Sequence, residues 1–157
     1  MLRGNEEKGG NLLKDLHILF HGIHQLAREL TKELNVALQP FNLYSSQWSV
    51  IYVLKQKGSL TQTELSEYLS VEKPPMTRTI QKLVASGYVN QIQGSDKRTK
   101  KIELTKKAWE MYPVWEEAVL QMNKRLVETF PKESQQELAK LLAEWTGQIA
   151  ARGKNNE

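Results

Sequence analysis

Residues 60–87 read LTQTELSEYL-SVEK-PPMTRTIQKLVASG, and residues 88–104 continue YVNQIQ-GSDKRT-KKIEL. Thr61 and Glu64 have the spacing of a capping box, so the first block predicts a short helix that ends near Leu69. Leu60 and Leu65 occupy the positions of a hydrophobic staple, which fixes the angle at which the chain enters this helix. We expect its buried side to consist of Leu65, Tyr68 and Leu69.

A second helix is predicted to begin near Pro74, which is tolerated in a first turn, and to end at Gly87. Its apolar residues recur at helical spacing and are expected to face the core: Met76, Ile80, Leu83 and Val84. The opposite face and the first turn carry groups that can contact bases or phosphates: Lys73, Pro74, Pro75, Thr77, Arg78, Gln81 and Lys82. Two helices joined by the short turn 70–72 are typical of a helix-turn-helix. In isolation, an ordinary amphipathic surface helix would explain the second helix equally well.

The segment after Gly87 predicts two strands, Tyr88 to Gln93 and Thr99 to Leu104, joined by a projecting loop. Apolar anchors are expected at Val89, Ile92, Ile102 and Leu104. A guanidinium on a projecting tip, as at Arg98, suits the negative potential of a narrow minor groove. Neighbouring lysines can contact phosphates, namely Lys97, Lys100 and Lys101. Asp96 is expected to accept a hydrogen bond from Arg98 or from a nearby backbone group and so to brace the loop.

The charge of the chain is unevenly distributed. Between Lys73 and Lys107 there are nine basic residues and two acidic ones, although the whole chain has a net charge of only +4. The rest of the chain is therefore slightly acidic. A basic patch that coincides with a helix-turn-helix and a hairpin favours a nucleic-acid contact. The alternative is a solvated basic surface.

Long helices are predicted on both sides of this central stretch. Apolar residues recur at helical spacing from Asn11 to about Gln39, and Pro40 should end that helix. Such a helix is too long to be covered by one small partner, which suggests contact with another subunit. After the N-cap Thr105, a helix should run as far as Phe130 with a kink or local break at Pro113. A last helix should follow Pro131, and Ser134 could also cap it.

Three tryptophans outside the helix-turn-helix, Trp109, Trp115 and Trp145, together with the first helix, predict an intertwined helical dimer interface. The alternative is an intramolecular three-helix core. Another helix, from Gln47 to about Lys57, should be capped by Ser45 or Ser46 and should end at Gly58.

All three histidines, His17, His21 and His24, lie on one side of the first helix beside its apolar stripe. Two histidines four residues apart can share a zinc ion, although a polar flank of an interface explains them as well and we predict no metal site. A pocket for a small-molecule effector is expected between the first helix, the helix of Trp48 and the helix-turn-helix. Its candidate residues are His21, His24, Trp48 and Tyr52.

Several classes of protein are excluded. The charged fraction (25%) and the hydrophobic fraction (39%) are those of a globular protein, and there is no run of 18 apolar residues and no apolar secretion signal. The absence of cysteine excludes disulfides and thiol chemistry and favours a cytoplasmic location. We find no phosphate-binding loop and no nucleophile motif, so we predict no enzyme activity and no cofactor.

Specific segments resemble the winged helix-turn-helix of the multiple-antibiotic-resistance regulator (MarR) family. They are Gln47-Trp48, the helix 60–69, Lys73-Pro-Pro-Met-Thr-Arg78, Leu83-Val-Ala-Ser-Gly-Tyr-Val89, and Asp96-Lys-Arg98 followed by Leu104-Thr105. The resemblance covers roughly residues 11–150, and the Asp-x-Arg loop followed by Leu-Thr is its most specific part. Members are bacterial dimeric transcription factors, often released from DNA by small aromatic or phenolic ligands.

By resemblance, Pro74 to Lys82 would lie in the major groove, Arg98 would enter the minor groove, and Asp96 would brace the wing. Pro74-Pro75 departs from the small hydroxyl residues common at that position, so the resemblance implies no base preference. The family's thiol-sensing branch needs a cysteine that this chain lacks.

We therefore predict a mainly α fold with a small β-hairpin wing. A winged helix-turn-helix would span residues 41–104, helical dimerisation regions would span 11–40 and 105–152, and residues 1–10 would be a flexible N-terminus. The predicted function is a homodimeric, sequence-specific regulator of transcription that binds a double-stranded DNA operator, most simply a repressor released by a small aromatic or phenolic effector. The alternatives are a protein-interaction module on the same fold and a metal-responsive regulator that uses the three histidines.

Overall fold

A computed structural model describes the backbone of residues 4–154 and the side chains of residues 11–153. Two compact units are distinguished, Met1–Val119 and Leu120–Glu157. The first holds α1 (Gly4–Leu38), a 3-10 turn (Gln39–Phe41), α2 (Ser45–Lys57), β1 (Leu60–Thr61), α3 (Gln62–Leu69), α4 (Lys73–Ala85), β2 (Val89–Gln93) and β3 (Lys100–Leu104). Helix α5 (Lys106–Leu126) begins in the first unit, and α6 (Lys132–Lys154) lies in the second. The mainly helical fold with a small β wing is confirmed.

Helix α1 begins at Gly4, earlier than the predicted Asn11. Of the predicted flexible N-terminus, residues 1–3 lie outside the described residues. The predicted caps of α2, Ser45 and Ser46, are wrong, because the helix begins at Ser45 and its N-cap is Tyr44. The N–H of Tyr44 donates to Gln47 Oε1 at 2.9 Å, and the N–H of Ser45 donates to Asn35 Oδ1 at 2.7 Å. A side chain of α1 thus satisfies one of the donors that a helix start leaves free.

Local signals placed α3 and the end of α4 correctly. Thr61 N donates to Glu64 Oε2 at 2.7 Å and Glu64 N donates to Thr61 Oγ1 at 3.1 Å, which is the predicted capping box. Helix α4 ends in a Schellman motif, in which Gly87 has φ +75° and the N–H of Tyr88 bonds to Leu83 O at 2.9 Å.

Two residues expected in the core are exposed. Tyr68 is 58% exposed and Val84 is 45% exposed, although the other predicted apolar residues of α4 are buried. Val84 directly follows the fully buried Leu83, so its side chain is turned by about 100° from that of Leu83, towards the edge of the buried face. The ring of Tyr68 instead lies under the ammonium group of Lys57, at 4.6 Å.

Within residues 4–154, the strands form one antiparallel sheet in the order β1-β3-β2. Strand β1 was not predicted. Its Leu60 pairs with Ile102, while Val89 pairs with Leu104 at the open end of the hairpin β2–β3, away from the connecting loop. Val89, Ile102 and Leu104 are buried, so the sheet is fixed to the core at its base and its distal loop projects.

The core of the first unit includes aromatic side chains from α2 and α5. Trp115 is fully buried and its ring meets that of Tyr88 edge-on at 4.8 Å, while Trp48 stacks on Tyr112 at 5.4 Å. The assignment of Trp115 to a subunit interface is therefore wrong, because its ring belongs to the core of its own chain. Trp109, by contrast, is 47% exposed and lies under the ammonium group of Lys55.

Thr105 caps α5 as predicted, and its hydroxyl accepts from the N–H of Ala108 at 3.2 Å. The helix continues through Pro113 without a break and ends at Leu126, so the predicted extension to Phe130 is wrong. Helix α6 begins at Lys132, and Ser134 lies inside its first turn rather than at the cap. No helix among the described residues is long and apolar enough to cross a membrane.

Candidate nucleic-acid interface

Helix α4 has one buried face and one exposed face. Met76, Ile80 and Leu83 are buried against the core, which turns the opposite side outward. Exposed residues are Lys73, Pro74, Arg78, Gln81 and Lys82, and half-buried ones are Pro75 and Thr77. The residues predicted to contact DNA from α4 thus share one side of the helix, and none is enclosed in the core.

The hydroxyl of Thr77 is engaged inside the protein. It donates to the carbonyl of Lys73 at 2.9 Å and accepts from the side-chain amide of Gln62 at 2.5 Å. This second bond joins α3 to α4. Gln62 was not singled out from the sequence, because a contact between residues fifteen positions apart leaves no local signal.

The loop between β2 and β3 is held by hydrogen bonds around Asp96. Its carboxylate accepts from the backbone N–H of Arg98 at 3.1 Å, one of the donors expected. Its carbonyl accepts from the N–H of Thr99 at 3.0 Å and from the side-chain amide of Gln93 at 3.2 Å. Gly94 closes the loop by donating to Thr99 O at 2.8 Å. The position of Arg98 is therefore set by a compact loop.

The cations of this loop are not neutralised by neighbours. Lys97, Arg98 and Lys100 are exposed, and among side chains 11–153 none of them forms an ion pair. Arg98 and Lys100 also line a groove of about 350 Å³ that runs from the wing to the start of α3 at Thr61 and Gln62. Lys101 is half-buried and lies close enough to Glu64 to lower the pKa of that carboxyl slightly.

Two lysines of the basic segment have local roles instead. Lys106 pairs with Glu110 at 3.8 Å on α5. Lys107 donates to the carbonyl of Ser86 at 2.9 Å, and its ammonium group lies 4.7 Å from the ring of Tyr88. The positive charge available to an anionic partner is therefore concentrated on α4 and the wing.

The carboxyl group of Glu64, at the start of α3, has a shifted pKa. Hydrogen bonds from the backbone and the hydroxyl of Thr61 lower the pKa of Glu64 below its ordinary value of 4.5. In the core, burial raises the pKa of Tyr112 to about 12, and the nearby carboxylate of Glu116 acts in the same direction. Tyr112 is therefore neutral at physiological pH.

The predicted effector residues have different environments. Trp48 is 7% exposed and stacked on Tyr112, whereas Tyr52 is 47% exposed, and His21 and His24 are also exposed. A cavity of about 340 Å³ lies where α1 meets α2, and its lining is Asn35, Val36, Gln39, Asn42, Leu43 and Tyr44. None of the four predicted effector residues lines this cavity.

The histidines of α1 are not part of a set of metal ligands among the side chains that the structure describes. The rings of His17 and His21 are parallel, with centroids 6.1 Å apart. Among the described side chains, no group of three or more His, Cys, Asp or Glu residues is arranged to hold a metal ion. The metal-responsive alternative thus has no geometric support in residues 11–153.

Residues 43–100, which comprise α2, the helix-turn-helix and most of the wing, match the model of the MarR family. The chain is also 43% identical over 123 residues to the uncharacterized HTH-type transcriptional regulator YwoH of Bacillus subtilis, a match that covers 78% of this chain and 90% of that protein. The chain belongs to the MarR family. Members of the MarR family are transcriptional regulators rather than enzymes, so the chain is a MarR-family transcriptional regulator.

Solved MarR structures share the fold. A MarR protein from Peptoclostridium difficile superimposes with a TM-score of 0.79 at 23% identity, covering 89% of this chain and 92% of that one. A mutant MarR from Escherichia coli in complex with operator DNA gives a TM-score of 0.76 at 24% identity, covering 85% and 96%. Because these sequence identities are low, the two comparisons show the shared fold alone.

Proposed function

We propose that this MarR-family regulator is a homodimer that binds a pseudo-palindromic operator and represses transcription until a small molecule releases it. The observation that carries DNA binding is the set of exposed, unpaired cations on the wing beside the exposed face of α4. Such cations favour DNA binding, because each phosphate that they neutralise releases counterions from the DNA. The Escherichia coli relative bound to operator DNA supports the same assignment.

In this proposal the two elements have different tasks. The outer face of α4, from Pro74 to Lys82, enters the major groove and selects the sequence. The wing places Arg98 in the adjacent minor groove. Phosphate contacts come from Lys73, Lys97, Lys100 and Lys101, which set affinity and its dependence on salt.

The apolar side of α1 supports a second copy of the chain as partner. Leu12, Leu16, Leu19, Phe20, Leu26 and Leu30 are all exposed in the single chain. On α6, considered by itself, Leu138, Leu141, Leu142 and Ile149 are exposed as well. Soluble proteins rarely leave apolar stripes of this length in water, so we assign both stripes to a dimer interface. A dimer would present two α4 helices to grooves about 34 Å apart.

The last element of the proposal is release from DNA by an effector. We place an aromatic or phenolic effector beside α1 and α2, with Tyr52, His21 and His24 accessible to it. Trp48 is already stacked in the core and could contact the effector only after a rearrangement. Binding of small phenols, measured by calorimetry and by loss of operator binding, tests this point. We place the regulator in the cytoplasm, where its DNA would be.

The main experiment is a selection of operator sequences from genomic fragments, followed by fluorescence anisotropy at several salt concentrations. Affinity should fall steeply with salt, and Arg98→Ala should weaken operator binding by about tenfold or more while the dimer persists. Arg152→Ala, which removes an exposed arginine of α6, is the matched control and should leave affinity unchanged. Salt-independent binding or an unaffected Arg98→Ala variant would contradict the DNA role and favour a protein-interaction module. A monomer by sedimentation at micromolar concentration would contradict the dimer.

A further inference from the structure

The one hydrogen-bond donor of the Thr77 side chain is already used inside the protein. A hydroxyl group has one hydrogen, and that of Thr77 is donated to the carbonyl of Lys73 at 2.9 Å. The oxygen also accepts from the amide of Gln62. Thr77 nevertheless lies on the same side of α4 as Arg78 and Gln81, among the residues assigned to base contact.

A base cannot use Thr77 as a donor without breaking the bond to Lys73. Most hydrogen-bonding atoms on the major-groove edges of guanine, adenine and thymine are acceptors, and they require a donor from the protein. What Thr77 can still offer to such acceptors is no donor but the apolar surface of its methyl group. Pro74 and Pro75, in the same first turn, have no backbone N–H and offer only apolar surface. Apart from Lys73, which is assigned to phosphate contact, the start of α4 therefore offers apolar surface rather than hydrogen-bond donors.

Gln62 is well placed to hold this arrangement. It is the first residue of α3, directly after the N-cap Thr61, whose capping box with Glu64 fixes the start of the helix. Its side chain is half-buried, so it has fewer alternative positions than an exposed glutamine. The capping box of α3 thus orients a side chain on α4 through a single amide.

We propose that Gln62 is a positioning residue for DNA recognition, which holds the Thr77 hydroxyl inward so that the Thr77 methyl contacts the 5-methyl group of a thymine. Pro74 and Pro75 extend this apolar contact, while Arg78 and Gln81 contact polar base edges. The inference rests on the proposed function, because it requires α4 in the major groove. It adds a base preference, thymine opposite the first turn, and a residue outside α4 that maintains it.

The test replaces each thymine of the selected half-site by deoxyuridine, which removes only the 5-methyl group. With the unaltered protein, one such replacement should weaken binding about fourfold, the worth of one buried methyl group. Thr77→Ser, which lacks the methyl group, should bind the thymine and deoxyuridine duplexes equally at that position. Thr77→Val has a methyl group on both branches of Cβ, so one of them occupies the outward position without the bond to Gln62, and this variant should retain the fourfold difference.

The role of Gln62 has its own readout. Gln62→Met keeps the length of the side chain and removes the amide, so the ratio of thymine to deoxyuridine affinity should fall towards one while the melting temperature stays close to that of the unaltered protein. If Gln62 contacts DNA directly, Gln62→Met weakens both duplexes equally and preserves the ratio, and the positioning role is then wrong.

Other outcomes separate this inference from the proposed function. Insensitivity of the unaltered protein to every deoxyuridine, or a large loss for Thr77→Val with none for Thr77→Ser, would overturn the methyl contact. Arg78→Ala decides which proposal has failed. If it weakens operator binding while deoxyuridine has no effect, only the inference about Thr77 is wrong. If Arg78→Ala changes neither affinity nor the selected sequence, α4 does not enter the groove and the proposed function itself fails.

Discussion

The hydroxyl of Thr105 donates a 2.6 Å hydrogen bond to the backbone carbonyl of Gly87. The same oxygen accepts from the N–H of Ala108, and the N–H of Thr105 donates to Tyr88 O at 3.1 Å. The residue that starts α5 is thus tied to the residue that ends α4, and the whole β2–β3 hairpin lies between them. The direction of the wing relative to α4 is set by this junction.

Removal of that hydroxyl should destabilise the fold. Thr105→Val keeps the shape of the side chain but removes both the N-cap and the bond to Gly87, so we expect a loss of about 1–2 kcal/mol in the free energy of unfolding. Urea unfolding followed by circular dichroism measures it. Thr105→Ser retains the hydroxyl and should lose much less. Equal stability of the two variants would show that the junction does not depend on this oxygen.

The carboxylate of Asp96 should affect DNA binding through the backbone of Arg98. Asp96→Ala removes the acceptor for the Arg98 N–H, and because one such bond contributes about 1 kcal/mol we expect operator affinity to fall by about fivefold. Asp96→Asn keeps an acceptor oxygen and removes a negative charge from the loop that is proposed to face DNA, so it should bind at least as tightly as the unaltered protein. Anisotropy at one fixed salt concentration compares them. Weaker binding by Asp96→Asn than by Asp96→Ala would contradict the bracing role.

Gly94 should be intolerant of a side chain for steric reasons. A Cβ at this position would lie 2.7 Å from Thr99 Oγ1 and 2.9 Å from Thr99 O, so the loop would have to open. We expect Gly94→Ala to weaken operator binding with little change in the melting temperature. Adding Thr99→Ala removes the side-chain contact but not the carbonyl contact, so it should restore affinity only in part. Full affinity for Gly94→Ala alone would show that the loop adjusts without cost.

The elements predicted correctly are those with local signals. The capping box at Thr61, the glycine ends at Gly58 and Gly87, and the cap at Thr105 each depend on residues only a few positions apart. These signals were sufficient to place the helix-turn-helix and the wing in the right order. Helix periodicity also put the cations of α4 on its exposed face, because three apolar residues at helical spacing fix the buried side.

The features that sequence could not predict depend on distant partners. Strand β1 is two residues long and exists because Leu60 meets Ile102. The N-cap of α2 is Tyr44 because Gln47 accepts from the N–H of Tyr44 and Asn35, on α1, accepts from the N–H of Ser45. Trp115 was assigned to a subunit interface because its partner in the core, Tyr88, is far away in the sequence. The bond between Gln62 and Thr77 also joins residues that are far apart in the sequence, and the proposed base preference depends on it.

Glu64 should make part of the stability depend on pH. Its pKa is lowered below 4.5 by hydrogen bonds from the backbone and hydroxyl of Thr61, so the folded state favours the charged carboxylate more than the unfolded state does. The stabilisation is therefore fully present above pH 4.5, and it is lost as the pH falls through the lowered pKa of the folded state. A negative charge in the first turn of α3 also interacts favourably with the helix dipole. This interaction is lost over the same pH range.

Glu64→Gln isolates this contribution. The amide oxygen of glutamine can still accept from the N–H of Thr61, so the variant loses the charge and keeps the capping geometry. We expect the unaltered protein to melt at a higher temperature than Glu64→Gln near neutral pH, and we expect the two melting temperatures to converge well below pH 4.5. All other carboxyl groups are present in both proteins, so their effect cancels in the difference. A difference in melting temperature that stays constant through this window would mean that the charge of Glu64 contributes nothing and that the cap acts only as a hydrogen-bond acceptor.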